Sequence, residues 1–233
     1  MPTPAPTPAP TPAPTPAPSL PRSVLFIGDS FTGIMGGVGT HVRAIAASLP
    51  RPRTVTVEHV WQGGATLAVL RTLPAVLQAI RAGGHDVVVL QDDIPEYTEH
   101  SVLPFKDHVR WFAPEIRAKN GRPVLFMAWA YERLNWVSMA AIAQAHRDIG
   151  GELGLPVAPV GLAFDAAKAQ RPLLDMLDTD REHESVAGMY LAACVIYATL
   201  FQETPEGATY LPTGLSADDA AFLQRMAWTT ALI

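Results

Sequence analysis

The chain has 233 residues, of which 48% are hydrophobic and 17% charged, with a formal net charge of −5. That length fits one α/β domain with a full core, and an acidic balance without a basic stripe argues against nucleic acid as a partner. One cysteine, Cys194, excludes an intramolecular disulfide, and no apolar run reaches the roughly 18 residues of a membrane span.

Residues 1–20 stand apart. Proline at nearly every second position in the Pro-Thr-Pro-Ala repeat removes amide donors and favours extended polyproline II. This stretch is expected to be a disordered, semi-rigid spacer, with residues 21–233 forming the folded domain. No charged n-region and apolar h-region precede the repeat, so no signal peptide is expected in this stretch. A cytoplasmic protein and an exported one whose start lies upstream both fit. A ligand for a proline-binding module is a further reading.

From Pro21 onward, strand-like and helix-like patterns alternate. Strands are expected at 24–27, 54–60, 86–90, 123–128 and 155–160. Helices are expected with Val42, Ile45, Ala46 and Leu49 facing inward, then at 67–82, 104–118, 138–150, 185–201 and 216–230. Five interleaved parallel strands suggest an α/β, flavodoxin-like, three-layer sandwich.

The first strand is the most informative. Its run Val24 to Ile27 stops at Gly28-Asp29-Ser30, so a hydroxyl lies just past a strand's carboxyl end, where open α/β sheets bind ligands. A serine alcohol needs a base. Asp180-Arg181-Glu182-His183 supplies one, because an aspartate three residues ahead of a histidine can fold back to hold the imidazole. Asp175 and Asp178 are competing orienters; Asp180 has the better spacing.

Together these segments resemble the SGNH/GDSL hydrolase family. Gly28, Asp29 and Ser30 match its first block, Asp180 and His183 its last, and Gly188-Met-Tyr-Leu-Ala its continuation. The resemblance spans residues 21 to about 201. It implies strand order 2-1-3-4-5, a Ser30–His183–Asp180 triad, no cofactor, and a small-molecule ester as substrate. It also implies an oxyanion hole made by the Ser30 amide, a glycine amide and an asparagine side chain. The glycine is expected at Gly64, with Gly63 the near alternative. The asparagine is missing: strand three continues Gln91-Asp92-Asp93. Asp93 takes its position and, if ionised, only accepts hydrogen bonds. Gln91 carries an amide and is the candidate donor, against the plainer reading that it merely caps the strand. One lost donor costs on the order of 100-fold in rate.

Other signals read as ordinary structure. The glycine-rich segment 33–39 lacks a P-loop lysine and the dinucleotide spacing, so a loop beside the serine is expected. Seven histidines are scattered without ligand spacing, and no metal site is expected. Cys194 lies in an apolar helix pattern and reads as a small buried residue. Trp61, Trp129 and Tyr131 fall near strand ends, as stacking surfaces or as packing.

The expectation is a serine ester hydrolase acting through an acyl-enzyme on small O-acyl, notably acetyl, esters. The spacer and rim aromatics tilt it toward carbohydrate esters. A non-catalytic binding module on the same fold and an O-acyltransferase are the rivals.

Overall fold

The computed structural model describes residues 20–232. The expected spacer therefore lies, Leu20 apart, outside the described residues. In chain order the elements are β1 (Ser23–Gly28), α1 (Ser30–Gly33), α2 (Val38–Ser48), β2 (Thr56–Trp61), α3 (Leu67–Leu70), α4 (Pro74–Ala82), β3 (Val87–Gln91), α5 (Leu103–Arg117), β4 (Arg122–Phe126), α6 (Met139–Leu153), β5 (Val157–Ala158), α7 (Val160–Gln170), α8 (Val186–Phe201) and α9 (Ala217–Ala231). All strand pairs are parallel, and the sheet order is β2-β1-β3-β4-β5. This is the three-layer α/β/α sandwich expected from the sequence.

Strand alternation divides the core. Val24, Phe26, Val87, Val89 and Phe126 pack with residues of α2, α7, α8 and α9 on one face. Leu25, Ile27, Val88, Leu90 and Leu125 pack with α4, α5 and α6 on the other. Side chains two apart share a face of a strand, so apolar runs such as that of β3 serve both faces at once. Helix α8 contacts α2, α7, α9 and β5, and all of it from Ala187 to Phe201 is buried. Its sequence is accordingly apolar all round. Cys194 lies within it as a buried free thiol. Among the described residues no helix is long and apolar enough to cross a membrane.

The short helix α1 was not expected, and the larger differences from the sequence reading lie elsewhere. The expected helix at 67–82 is two helices, because Pro74 lacks the N–H that would continue the first and instead occupies the first turn of α4. Strand β5 is shortened to Val157–Ala158. Helix α7 was not anticipated at all.

Candidate active site

Ser30 is held at the end of β1 by its neighbours. Asp29 caps α1, its Oδ1 accepting the Phe31 N–H at 2.9 Å, and its carbonyl accepts from Thr32 and Gly33. Ser30 thus becomes the first residue of a short helix, where a backbone N–H has no intrahelical acceptor. Gly28 must be glycine: a Cβ there would lie 2.2 Å from Thr32 Oγ1 and 2.3 Å from Gln91 Oε1.

The loop between α7 and α8 brings Asp180 and His183 to the same place. Asp180 Oδ1 accepts the N–H groups of Glu182 (3.0 Å) and His183 (2.9 Å). Its Oδ2 lies 2.7 Å from His183 Nδ1. The Glu182 N–H first, then the His183 imidazole, hold the Asp180 carboxyl down at about 2. With Nδ1–H donating to Asp180, Nε2 is left as an acceptor, and it lies 3.0 Å from Ser30 Oγ. Two segments 153 positions apart therefore meet as the sequence reading required. Asp175 and Asp178 do not compete. Asp175 pairs with Arg181, and Asp178 Oδ1 accepts the Thr179 N–H.

The loop is braced on several sides. Trp129 Nε1–H donates to the Glu182 carbonyl (2.8 Å), and Arg133 pairs with both Glu182 and Glu96. The Ser185 N–H donates to the Met176 carbonyl (2.9 Å), and Ser185 Oγ caps α8 at Gly188. A Cβ on Gly188 would lie 2.0 Å from the Met176 carbonyl oxygen, so only glycine lets the loop seat against α8. The Phe31 ring stands edge-on to His183, with centroids 5.7 Å apart.

The oxyanion side departs from expectation. Trp61 is the register partner of Gly28, so the turn after β2 runs beside the Ser30 segment. Gly64 in that turn has φ +65, a left-handed conformation that favours glycine; Gly63 does not. Gln91 is fully buried, and its Oε1 accepts from the Asp29 N–H (2.8 Å) and the Thr32 hydroxyl (3.0 Å). The expectation that Gln91 offers its amide to an oxyanion is corrected. Its carbonyl end braces the Asp29–Thr32 turn from below, and its Nε2 is buried without a hydrogen-bond partner. Asp93 is also buried and accepts from Tyr131 OH at 2.8 Å. Asp92 accepts from the Leu67 N–H and Tyr97 OH, and burial raises it to about 7.

The aromatic residues separate into two kinds. Trp129 and Tyr131 are buried, with Trp129 packed against Phe31 and stacked on Phe164; they are packing, not a platform. Trp61 is 45% exposed. Its ring lies where a Gly33 side chain would be, 2.0 Å from an added Cβ, so the indole rests on the α1 backbone beside Ser30. Glycines 37 and 39 make room for the His59 ring, whose Nε2 accepts the Gly39 N–H. The glycine-rich segment is thus packed against β2. One residue of consequence escaped the sequence reading. Glu184, next to His183, is buried with both carboxylate oxygens unpartnered, and burial pushes it up to about 8.

No family model and no curated protein matches the chain; solved structures do. A DUF4886 family protein from Bacteroides uniformis superimposes with a TM-score of 0.68 at 16% identity, over 90% of this chain and 94% of that one. A lipase/acylhydrolase from Enterococcus faecalis gives 0.60 at 18% identity, over 76% and 93%. A catalytic mutant of an acetylxylan esterase from Geobacillus stearothermophilus gives 0.61 at 17%, over 77% and 94%. The chain shares the three-layer fold of these structures.

Proposed function

We propose that the protein is a serine ester hydrolase of the SGNH/GDSL type. The observation that carries this reading is the continuous Asp180–His183–Ser30 hydrogen-bonded line, 2.7 Å and 3.0 Å at its two links. In this reading Ser30 Oγ attacks an ester carbonyl while His183 Nε2 takes its proton. His183 then returns the proton to the leaving alcohol, and water releases the acyl group from Ser30 by the same route. Asp180 fixes the imidazole's tautomer and stabilises the imidazolium. The amides of Ser30 and Gly64 are the proposed oxyanion donors.

Small O-acyl esters, acetyl esters in particular, are the proposed substrates. Trp61, exposed beside Ser30, supports a flat or carbohydrate-linked alcohol portion, since sugar faces stack on indole. The acetylxylan esterase among the structural neighbours is in keeping with that choice.

Turnover of p-nitrophenyl acetate, abolished by Ser30→Ala, tests the reading, together with fluorophosphonate labelling mapped to the Ser30 peptide. The buried Gln91 and Asp93, which leave no side-chain amide in the asparagine's place, favour one second reading, a binding module on the same fold. Folded protein that turns over no short ester and takes no fluorophosphonate would establish that alternative. Acylated sugar in excess of free acid, with a sugar acceptor added, would instead mark a transferase.

A further inference from the structure

An open groove of about 530 Å³ is lined by Met35, Leu174, Val186, Ala187 and Leu215. Small-molecule sites have volumes of this order and mostly apolar walls. Both halves of the Ser30–His183 pair contribute to it. Met35 follows Ser30 by five positions, on the turn between α1 and α2. Val186 opens α8, three positions after His183. Asp178, also on the groove, donates its N–H to the His183 carbonyl at 2.8 Å.

Met35 is held in an unusual way. It is 41% exposed and has φ +51, a left-handed conformation that is unfavourable for a bulky side chain. The turn is braced from the α2 side. His41 Nε2–H donates to the Met35 carbonyl (3.1 Å), and Tyr210 OH donates to His41 Nδ1 (2.9 Å). The Thr40 hydroxyl donates to the Gly36 carbonyl (2.8 Å). Burial lowers His41 from its ordinary value, in keeping with the neutral ring those contacts require. Strain that the surroundings enforce points to use, and an exposed thioether is an adaptable apolar surface for a ligand.

Building on the esterase reading, we propose that this groove binds an uncharged aliphatic portion of the substrate's alcohol half, with Met35 as a specificity-determining residue. In that reading His183 Nε2 protonates the departing oxygen. The alcohol therefore leaves on the His183 side, where the groove begins. The Trp61 ring meets α1 at Gly33, two residues before Met35, so a ring on the indole and a chain in the groove can belong to one alcohol. The charged groups lining the groove are Asp178 and Asp219. Arg171 already answers Asp219, and Asp178 Oδ1 accepts the Thr179 N–H. A carboxylate or phosphate on the chain would face like charge there, whereas a neutral chain suits the apolar walls.

Ethyl, butyl and hexyl acetates all give the same acetyl-Ser30, so a chain-length effect must arise before deacylation. A fully buried methylene is worth about fourfold in binding, and an open groove captures part of that. Wild-type kcat/KM should rise about tenfold from ethyl to hexyl acetate. Val186→Trp fills the groove, and Met35→Gly removes the thioether; in each variant the hexyl-to-ethyl ratio should fall to about one. A flat wild-type series, or the full ratio kept in both variants, overturns the groove's role. So does a length preference confined to the acyl side, read with p-nitrophenyl acetate, butyrate and hexanoate.

A binding measurement keeps the groove and the esterase reading apart. In the full chain labelled with 13C-methyl methionine, the Met35 methyl is assigned by its disappearance in Met35→Leu. Its resonance should move and saturate on titration with 1-hexanol and stay in place with hexanoate. No saturable movement with 1-hexanol overturns the groove, and an equal response to hexanoate overturns its preference for an uncharged chain. Saturable movement in a wild type that turns over no ester would sink the esterase reading and leave the groove standing.

Discussion

Replacing Gln91 by methionine separates a brace from a catalytic donor. The two side chains have similar volumes, so no cavity opens and overpacking stays small. What disappears is the acceptor for the Asp29 N–H at 2.8 Å and for the Thr32 hydroxyl at 3.0 Å. A buried backbone N–H left without a partner costs about 1–3 kcal/mol, and the hydroxyl's lost bond about 0.5–1.5 kcal/mol. Part returns, because methionine does not bury the amide nitrogen that Gln91 keeps unpartnered. The net expectation is a loss of about 2 kcal/mol, read as a lower urea midpoint at unchanged slope. Turnover of p-nitrophenyl acetate by the folded variant should stay within about tenfold of wild type, because Gln91 touches the turn and not the ester. The opposite pattern refutes this reasoning: unchanged stability with kcat down about 100-fold and KM unmoved is the signature of a lost oxyanion donor.

Three further outcomes follow from the same geometry. Asp180→Asn keeps an oxygen for the Glu182 and His183 amides but offers His183 Nδ1 an N–H in place of an acceptor, which favours the wrong tautomer; kcat should fall on the order of 1,000-fold or more with little change in the unfolding midpoint. Gly188→Ala drives a methyl into the Met176 carbonyl, backbone against backbone, so a loss of about 1–3 kcal/mol should accompany a rate loss of about 100-fold as His183 shifts; wild-type rates at full stability would show that the loop seats elsewhere. Glu184 has an ordinary carboxyl value of 4.5 when free and is pushed to about 8 by burial. Its protonated form is thus preferred in the fold: the stabilisation is complete below about pH 4.5 and is lost as pH rises toward 8, at about 1.4 kcal/mol per pH unit. Thermal melts of Glu184→Gln should gain on wild type from pH 5 to pH 8.5, roughly the window between the free and the folded carboxyl values, and an equal gap at both ends would count against a buried neutral acid.

The fold was legible because its strands are punctuated. Val24 to Ile27 runs into Gly28, and Val87 to Leu90 into Gln91, so both central strands announce their carboxyl ends. The Ser30–His183 meeting was legible because Asp180 and His183 lie close in sequence and need only a local turn. Gln91 was not legible. Its direction depends on register: Ile27 is opposite Leu90, so Gly28 and Gln91 come side by side, and the absent Gly28 side chain leaves the space that the Gln91 amide fills. Nothing in either segment alone states that pairing. Helix α7 was overlooked for a different reason. Val160, Ala163, Phe164 and Ala167, all buried, recur at helical spacing, but the run is short and is preceded by two prolines at 156 and 159. The break in 67–82 is visible in Pro74, which is the start of a second helix and not punctuation within one.

The placement of buried charge argues for where chemistry belongs on this molecule. Among the described residues the buried acids are Asp29, Asp92, Asp93 and Glu184. The first three follow directly on the carboxyl ends of β1 and β3, and the fourth adjoins His183 at the same edge. Burying an ionisable group is unfavourable unless it is neutralised or fully hydrogen-bonded, and only Asp92 has both oxygens met by N–H or O–H donors. Apolar residues would fill those volumes at lower cost, as they do throughout α8. A fold that is consistent along its helices and strands and breaks its own rules at one edge concentrates the exceptions where function resides. Ser30 and His183 lie at that edge, where the Asp29 cap on the Phe31 N–H, the Gln91 carbonyl on the Asp29 N–H and the Tyr131 hydroxyl on Asp93 tie the turn and its neighbours in place.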